Sequence, residues 1–145
     1  MTEITLKPAV VGDTDAIRAC IRAAYADPAA RIPDLPDVAA GLEDDVARHA
    51  VIVAEVQREI LGVIIFGLVG QAMMVFNLAV SPSAQGKGLA RKLLAQAEAQ
   101  AIGSGCDRLK LTTHRMMQDT RAMYRHLGWH EVAAQGNKVF FEKPL

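Results

Sequence analysis

AMMVFNLAVSPSAQGKGLARKLLAQAEAQAIGSGCDRLKLTT, Ala72 to Thr113, decides the fold. It opens on the apolar run AMMVFNLAV, which reads as a strand. From Lys87 to Ser104, Leu89, Leu93, Ala97 and Ala101 recur at four-residue spacing with Ala90 and Leu94 beside them, the apolar stripe of a helix that Gly103 and Gly105 close. RLKLTT then alternates apolar and polar residues at the period of a strand. A strand, a helix and a second strand in that order make a crossover from Val75 to Leu111, so the sheet is of mixed direction.

Upstream, AVIVAEV and ILGVIIFGLV join AMMVFNLAV through QREI and VGQ, the pattern of an antiparallel meander. Ile4 and Leu6 alternate with Thr5 and Lys7 in a first strand that Pro8 ends. Asp13 can cap a helix bearing Ile17, Cys20, Ile21 and Ala24 on one face, which the spacing ends near Tyr25 to Asp27 and Pro28. Pro28, Pro33 and Pro36 then make Asp27 to Asp37 an irregular loop long enough to line a binding site. Asp37 caps a second short helix reaching about Arg48. Downstream, Gln118 to Leu127 carries Thr120, Met123, Tyr124 and Leu127 on one stripe and stops at Gly128, and WHEVAA and KVFFEK form a hairpin about QGN. The predicted class is α+β, a single domain over residues 1–145, with a mixed, mostly antiparallel central sheet of about seven strands and about four helices on both faces.

The chain has 145 residues, 51% of them hydrophobic and 22% charged, enough to bury a core without staples. Sixteen basic residues balance 16 acidic ones, so no overall field favours nucleic acid or an anionic membrane. Cys20 and Cys106 lack metal-ligand spacing and read as small core residues, and His126 and His130 are divided by Gly128, so no metal is expected. No signal sequence or membrane span is evident, which makes a cytoplasmic location the expectation.

The turn between the first strand and helix of the crossover is where chemistry concentrates. A Walker A loop requires Ser or Thr after Lys87, where Gly88 stands, and the dinucleotide fingerprint requires Gly or Ala where Arg91 stands. What remains is a strand, a tight turn and a helix start whose amides are unpaired and whose dipole favours an anion. Lys87, Arg91 and Lys92 lie there without an acid, which fits a local anion site or a solvated basic first turn.

Gln85-Gly86-Lys87-Gly88-Leu89-Ala90 is similar to the Gln/Arg-x-x-Gly-x-Gly/Ala signature of GNAT-family N-acetyltransferases, and NLAVSP stands where that family has its preceding strand. MMQDTRAMYRHLGWHEV resembles the family's second motif, a tyrosine-bearing helix ending in Leu-Gly-aromatic, and KVFFEKPL resembles its closing strand. The likeness extends over essentially the whole chain.

The resemblance implies an N-acetyltransferase that moves the acetyl group of acetyl-CoA, its co-substrate, directly to a primary amine of a small molecule or to an exposed amino group. A CoA-binding regulatory or sensor module is the alternative. By the same resemblance, backbone amides of Gln85, Gly86, Lys87, Gly88, Leu89 and Ala90 hold the pyrophosphate, with Arg91 in reach of CoA phosphates. Leu78, Ala79 and Val80 pair with the pantetheine arm beside a bulge, and Thr120 stands where relatives often carry an asparagine. Tyr124 occupies the general-acid position and the Leu78 amide that of the oxyanion donor. Tyr124 also suits a buried helix anchor. Many relatives place a glutamate on the bulged strand, whereas here Phe76 and Asn77 stand without an acid; the base is water relayed by Asn77, or His114, or there is none. Tyr25 and Arg31 flank the proline-rich loop that borders the acceptor site in the family, and core or surface roles suit them and His114 as well. Family analogy also implies a homodimer, and the charge balance implies no nucleic acid or membrane as partner.

Overall fold

The computed structural model describes residues 3–145. β1 (Ile4–Pro8), α1 (Thr14–Arg31), α2 (Leu42–Arg48), β2 (Ala50–Val56), β3 (Glu59–Val69), β4 (Ala72–Val80), α3 (Leu89–Gly103), β5 (Arg108–His114), α4 (Gln118–His126), β6 (His130–Gln135) and β7 (Lys138–Pro144) follow in that order. The strands form a 7-stranded sheet in the order β1-β2-β3-β4-β5-β7-β6. Every neighbouring pair is antiparallel except β4 and β5, which run parallel from Ala72 opposite Arg108 to Val75 opposite Leu111. The crossover read from Ala72 to Thr113 therefore creates the sheet's one parallel joint among the described residues.

Both faces of the central strands are covered, which is why their sequences read as unbroken apolar runs. On one face Ile52, Ala54, Ile64, Phe66, Val75, Leu109, Leu111 and Phe141 pack against Leu89, Leu93, Leu94, Ala97 and Ala101 of α3 and Tyr124 of α4. On the other, Val51, Val53, Val63, Ile65 and Ala79 meet Ile17, Cys20 and Ile21 of α1 and Leu42 of α2. Alternate residues of β2 and β3 thus feed two separate cores, as the two-residue period of a strand requires. Burial pushes the Cys20 thiol up to about 11, in keeping with a core side chain. No helix among the described residues is long and apolar enough to cross a membrane.

Three helix boundaries differ from the sequence reading. α1 does not end before Pro28 but runs to Arg31 with the proline inside it. Proline removes its own donor yet leaves its carbonyl, which accepts from the Ile32 amide at 2.8 Å. Ile32 is 2% exposed, and its burial holds the last turn in place. The irregular loop therefore lies further along the chain, from Ile32 to Gly41. Asp37 does accept from the Ala39 amide at 3.1 Å, but it closes only a turn, because Gly41 is left-handed at φ 73° and α2 starts after it. α3 likewise starts at Leu89 rather than Lys87, since Gly88 is left-handed at φ 77° and stands outside the helix.

Candidate active site

The site begins with a fault in the sheet. Phe66 faces Val75 while Ile65 faces Asn77, so Phe76 is an extra residue that kinks β4. β5 stays with β4 only as far as Val75 and Leu111, and from Thr112 to His114 it pairs with β7 alone. A gap therefore opens between the ends of β4 and β5, with Leu78 and His114 each three residues beyond the last paired positions.

The edge of β4 toward this gap carries usable backbone groups. The Tyr25 hydroxyl on α1 donates to the Leu78 carbonyl at 3.2 Å, and the Gln85 side-chain amide donates to the Val80 carbonyl at 3.3 Å. A strand residue turns its N–H and C=O to the same side, so the amides of Leu78 and Val80 face the gap as well. Ala79, opposite Val63, presents its backbone to β3 instead, and its side chain is buried.

At the end of β4 the chain enters α3 through left-handed Gly86, φ 80°, and left-handed Gly88, φ 77°. The first backbone bond of the helix is Lys92 N–H to the Gly88 carbonyl at 3.1 Å, and the amides of residues 86 to 91 donate to no backbone carbonyl outside the helix. No side chain caps the helix and its first turn carries no acid. A Cβ built on Gly86 or Gly88 would meet nothing within 4 Å, so the concavity is open, while only glycine adopts these dihedrals without strain. Successive free amides on an αL-αR path form a nest for an anion, reinforced by the helix dipole. Lys87, Arg91 and Lys92 are all exposed around it.

Tyr124 belongs to the core cluster against which Leu78 packs. It is 5% exposed and packs edge-on against Trp129 with ring centroids 5.5 Å apart and against Phe141 at 5.7 Å. Burial first, and then the neighbouring Tyr25 phenol, push its hydroxyl well above the ordinary tyrosine range, so it keeps its proton. Burial raises Tyr25 too. Thr120 is half-buried in the first turn of α4, one turn before Tyr124. Asn77 points to the α1 and α2 side, where its Nδ2 donates to the Val38 carbonyl at 2.9 Å. Its Oδ1 is enclosed and has no partner, the one such side-chain atom among the described residues. An unsatisfied buried acceptor costs about 1–3 kcal/mol, which a water or a ligand N–H would recover.

His114 is buried at the end of β5. Its Nε2–H donates to Asp34 Oδ1 at 2.8 Å and its Nδ1 accepts from the Met116 amide at 3.1 Å, an arrangement that fixes the neutral tautomer and leaves neither nitrogen free. Asp34 also accepts from Asn137 Nδ2 at 2.9 Å, on the turn between β6 and β7. These bonds, Asn137 first and His114 second, hold the Asp34 carboxyl below the ordinary aspartate value of 3.8. A carboxyl whose folded value is depressed stabilises above its unfolded value and loses that contribution as pH falls through the folded one. Asp34→Asn should therefore lower the melting temperature at neutral pH, and the deficit relative to wild type should shrink as pH falls from about 5 toward about 3. Thermal melts of both proteins across that range check this, and a deficit independent of pH would contradict it.

Of the residues singled out in the sequence, the structure gathers Tyr25, Asn77, Leu78, His114 and Tyr124 about the gap and sets Gly86 to Ala90 at its end, whereas the Gln85 amide, expected to hold the pyrophosphate, is turned back onto the Pro82 carbonyl at 3.4 Å. Arg31 is not brought there: it is exposed in the last turn of α1 and pairs with Asp27 at 3.0 Å. Asp34, Arg115 and Asn137 were missed. Asp34 sits in the proline-rich loop that the sequence marked, but nothing in the sequence pairs it with Asn137, 103 positions away.

The profile of the acetyltransferase (GNAT) family matches residues 16–129. Among solved structures, the fold is similar to that of the PaiA N-acetyltransferase from Thermoplasma acidophilum in complex with coenzyme A, with TM-score 0.89, 16% identity and 99% of each chain covered. It is similar to the ribosomal-protein-S18-alanine N-acetyltransferase from Escherichia coli, with TM-score 0.76, 18% identity, 98% of this chain and 94% of that one covered. An acetyltransferase from Thermus thermophilus matches with TM-score 0.77 and 20% identity over 98% of this chain and 97% of that one.

Proposed function

The chain belongs to the GNAT acetyltransferase family and is an acetyl-CoA-dependent acetyltransferase; from that premise we propose that it acetylates a primary amine by direct attack on the thioester, in the gap between β4 and β5. The observation that carries the reading is the turn at the start of α3: free amides from residue 86 to 91, left-handed glycines that open the concavity, and no competing acid. That is the donor set a pyrophosphate needs.

Bound acetyl-CoA supplies an activated acyl carbonyl. Around it, each residue has a task that its geometry supports. Gly86 to Arg91 hold phosphate through their amides, with Lys87 and Arg91 adding charge at the rim. Leu78 and Val80 offer strand-edge groups to an extended amide-bearing arm, in the manner of strand addition. The Leu78 N–H faces the gap and suits the developing negative charge on the carbonyl oxygen. Tyr124 keeps a proton at its hydroxyl for the departing sulfur. The Asn77 Oδ1 suits a water or the acceptor's own N–H, and His114 acts through Asp34 rather than as a base, because both its nitrogens are engaged.

The test is thiol release from acetyl-CoA with the purified protein across polyamines, aminoglycosides, amino acids and peptides. Release above the hydrolytic background with at least one amine, together with its N-acetylated product by mass spectrometry, is the expected result. Tight acetyl-CoA binding without turnover on any amine would favour a CoA-binding module instead.

A further inference from the structure

The loop from Ile32 to Gly41 spans the mouth of the gap. On the β4 side its Val38 carbonyl accepts from Asn77 Nδ2 at 2.9 Å; on the β5 side Asp34 binds His114 at 2.8 Å. The β6–β7 turn meets it there: Asn137 Nδ2 donates to Asp34, and the Arg115 amide donates to the Asn137 carbonyl at 2.8 Å. Between these segments lies a cleft of about 400 Å³ lined by Asp34, His114, Arg115, Met116, Gly136 and Asn137. Chain segments from three parts of the sequence are thus fastened together around one space that His114 lines, and the same loop reaches β4 through Asn77.

The charges in that space are specific. Asp34 is held in place by two neutral donors, one on each oxygen, yet its side chain is 60% exposed. An ionised carboxylate accepts about four hydrogen bonds, so each oxygen has a lone pair left for a ligand. Arg115, exposed on the same cleft, forms no ion pair among the described residues. Its neighbours Arg121 and Arg125 are both engaged by Glu131, and the Arg115 carbonyl accepts from Arg121 Nη1 at 2.6 Å. One oriented carboxylate alone would suit any cation, including a polyamine, but an unpaired guanidinium in the same cleft repels a second ammonium. A guanidinium instead matches a carboxylate in bidentate geometry.

We infer that this cleft is the acceptor subsite for an amine that also carries a carboxylate, with Asp34 facing the ammonium and Arg115 the carboxylate. The inference rests on the acetyl-transfer reading above and names its acceptor class: free amino acids or other small amino carboxylates rather than diamines.

The experiment compares each amino acid with its carboxamide, which keeps the amine and removes the negative charge, alongside a series of diamines. Turnover is read as thiol release by the full chain, and binding of the same compounds to the protein–CoA complex is read by calorimetry. The acid is expected to exceed its amide by about tenfold in kcat/KM and in affinity, a ratio that Arg115→Gln brings close to one and Arg115→Lys partly restores. Amides or diamines that equal or exceed the acids, or a ratio that Arg115→Gln leaves intact, would overturn the subsite while acetyl transfer stands. Should no compound turn over, the calorimetric ratio still decides the subsite, and the absence of turnover counts against the acetyl-transfer reading alone.

Discussion

Gly88→Glu is expected to weaken binding of CoA and acetyl-CoA by at least about 100-fold, or about 2.7 kcal/mol, while the protein remains folded. The added side chain meets no steric barrier, since nothing lies within 4 Å of its Cβ, and its carboxylate would project into the concavity at the head of α3. A unit charge about 4 Å from a phosphate charge is repelled by about 4 kcal/mol at an effective dielectric of 20, and the free amides would turn to the new carboxylate. For the same reason the helix itself tolerates the acid, which complements its dipole. The backbone at φ 77° costs any side chain about 1–2 kcal/mol of strain. Gly88→Ala carries that strain without the charge and separates the two effects. Calorimetric titration with CoA, and thermal melts of both variants, check this. Affinity within about threefold of wild type for Gly88→Glu would show that the turn does not hold phosphate.

Tyr124→Phe is expected to lower kcat by about 100-fold, within the range that a general acid contributes, with KM for acetyl-CoA nearly unchanged. Phenylalanine keeps the ring against Trp129 and Phe141, so the substitution removes a proton donor and little packing. The expulsion of a thiolate of pKa about 8.5 would then depend on water. Because burial raises the Tyr124 phenol, the wild-type enzyme should show no loss of rate from tyrosine ionisation on the alkaline side. Steady-state kinetics of both proteins test the assignment, and a kcat within about twofold of wild type would leave Tyr124 as a helix anchor only.

The architecture was legible because burial on two faces leaves a plain trace. Short β-branched apolar runs such as AVIVAEV and AMMVFNLAV, divided by turns, read as strands, and the strand bounds match those runs at Ala50–Val56 and Ala72–Val80. The helix ends were less legible where local preference and tertiary burial disagree. Pro28 argues for termination, but the burial of Ile32 carries α1 past it. The helices read from Asp37 and from Lys87 included Gly41 and Gly88, yet the left-handed backbone of both glycines puts them outside α2 and α3.

The sequence alone determined the mixed direction of the sheet through the crossover, the glycine turn with its basic rim, and the tyrosine helix, because each is a local pattern set by periodicity, turn chemistry or a short motif. It also determined what β4 lacks, an acid beside the bulge. Only the tertiary structure decided what surrounds the gap. It turned Tyr25 onto the Leu78 carbonyl, left Asn77 Oδ1 without a partner, and tied Asp34 to His114 and Asn137. Such contacts join positions far apart in the chain and depend on where a bulge of one residue parts two strands, a displacement that no periodicity in the sequence encodes.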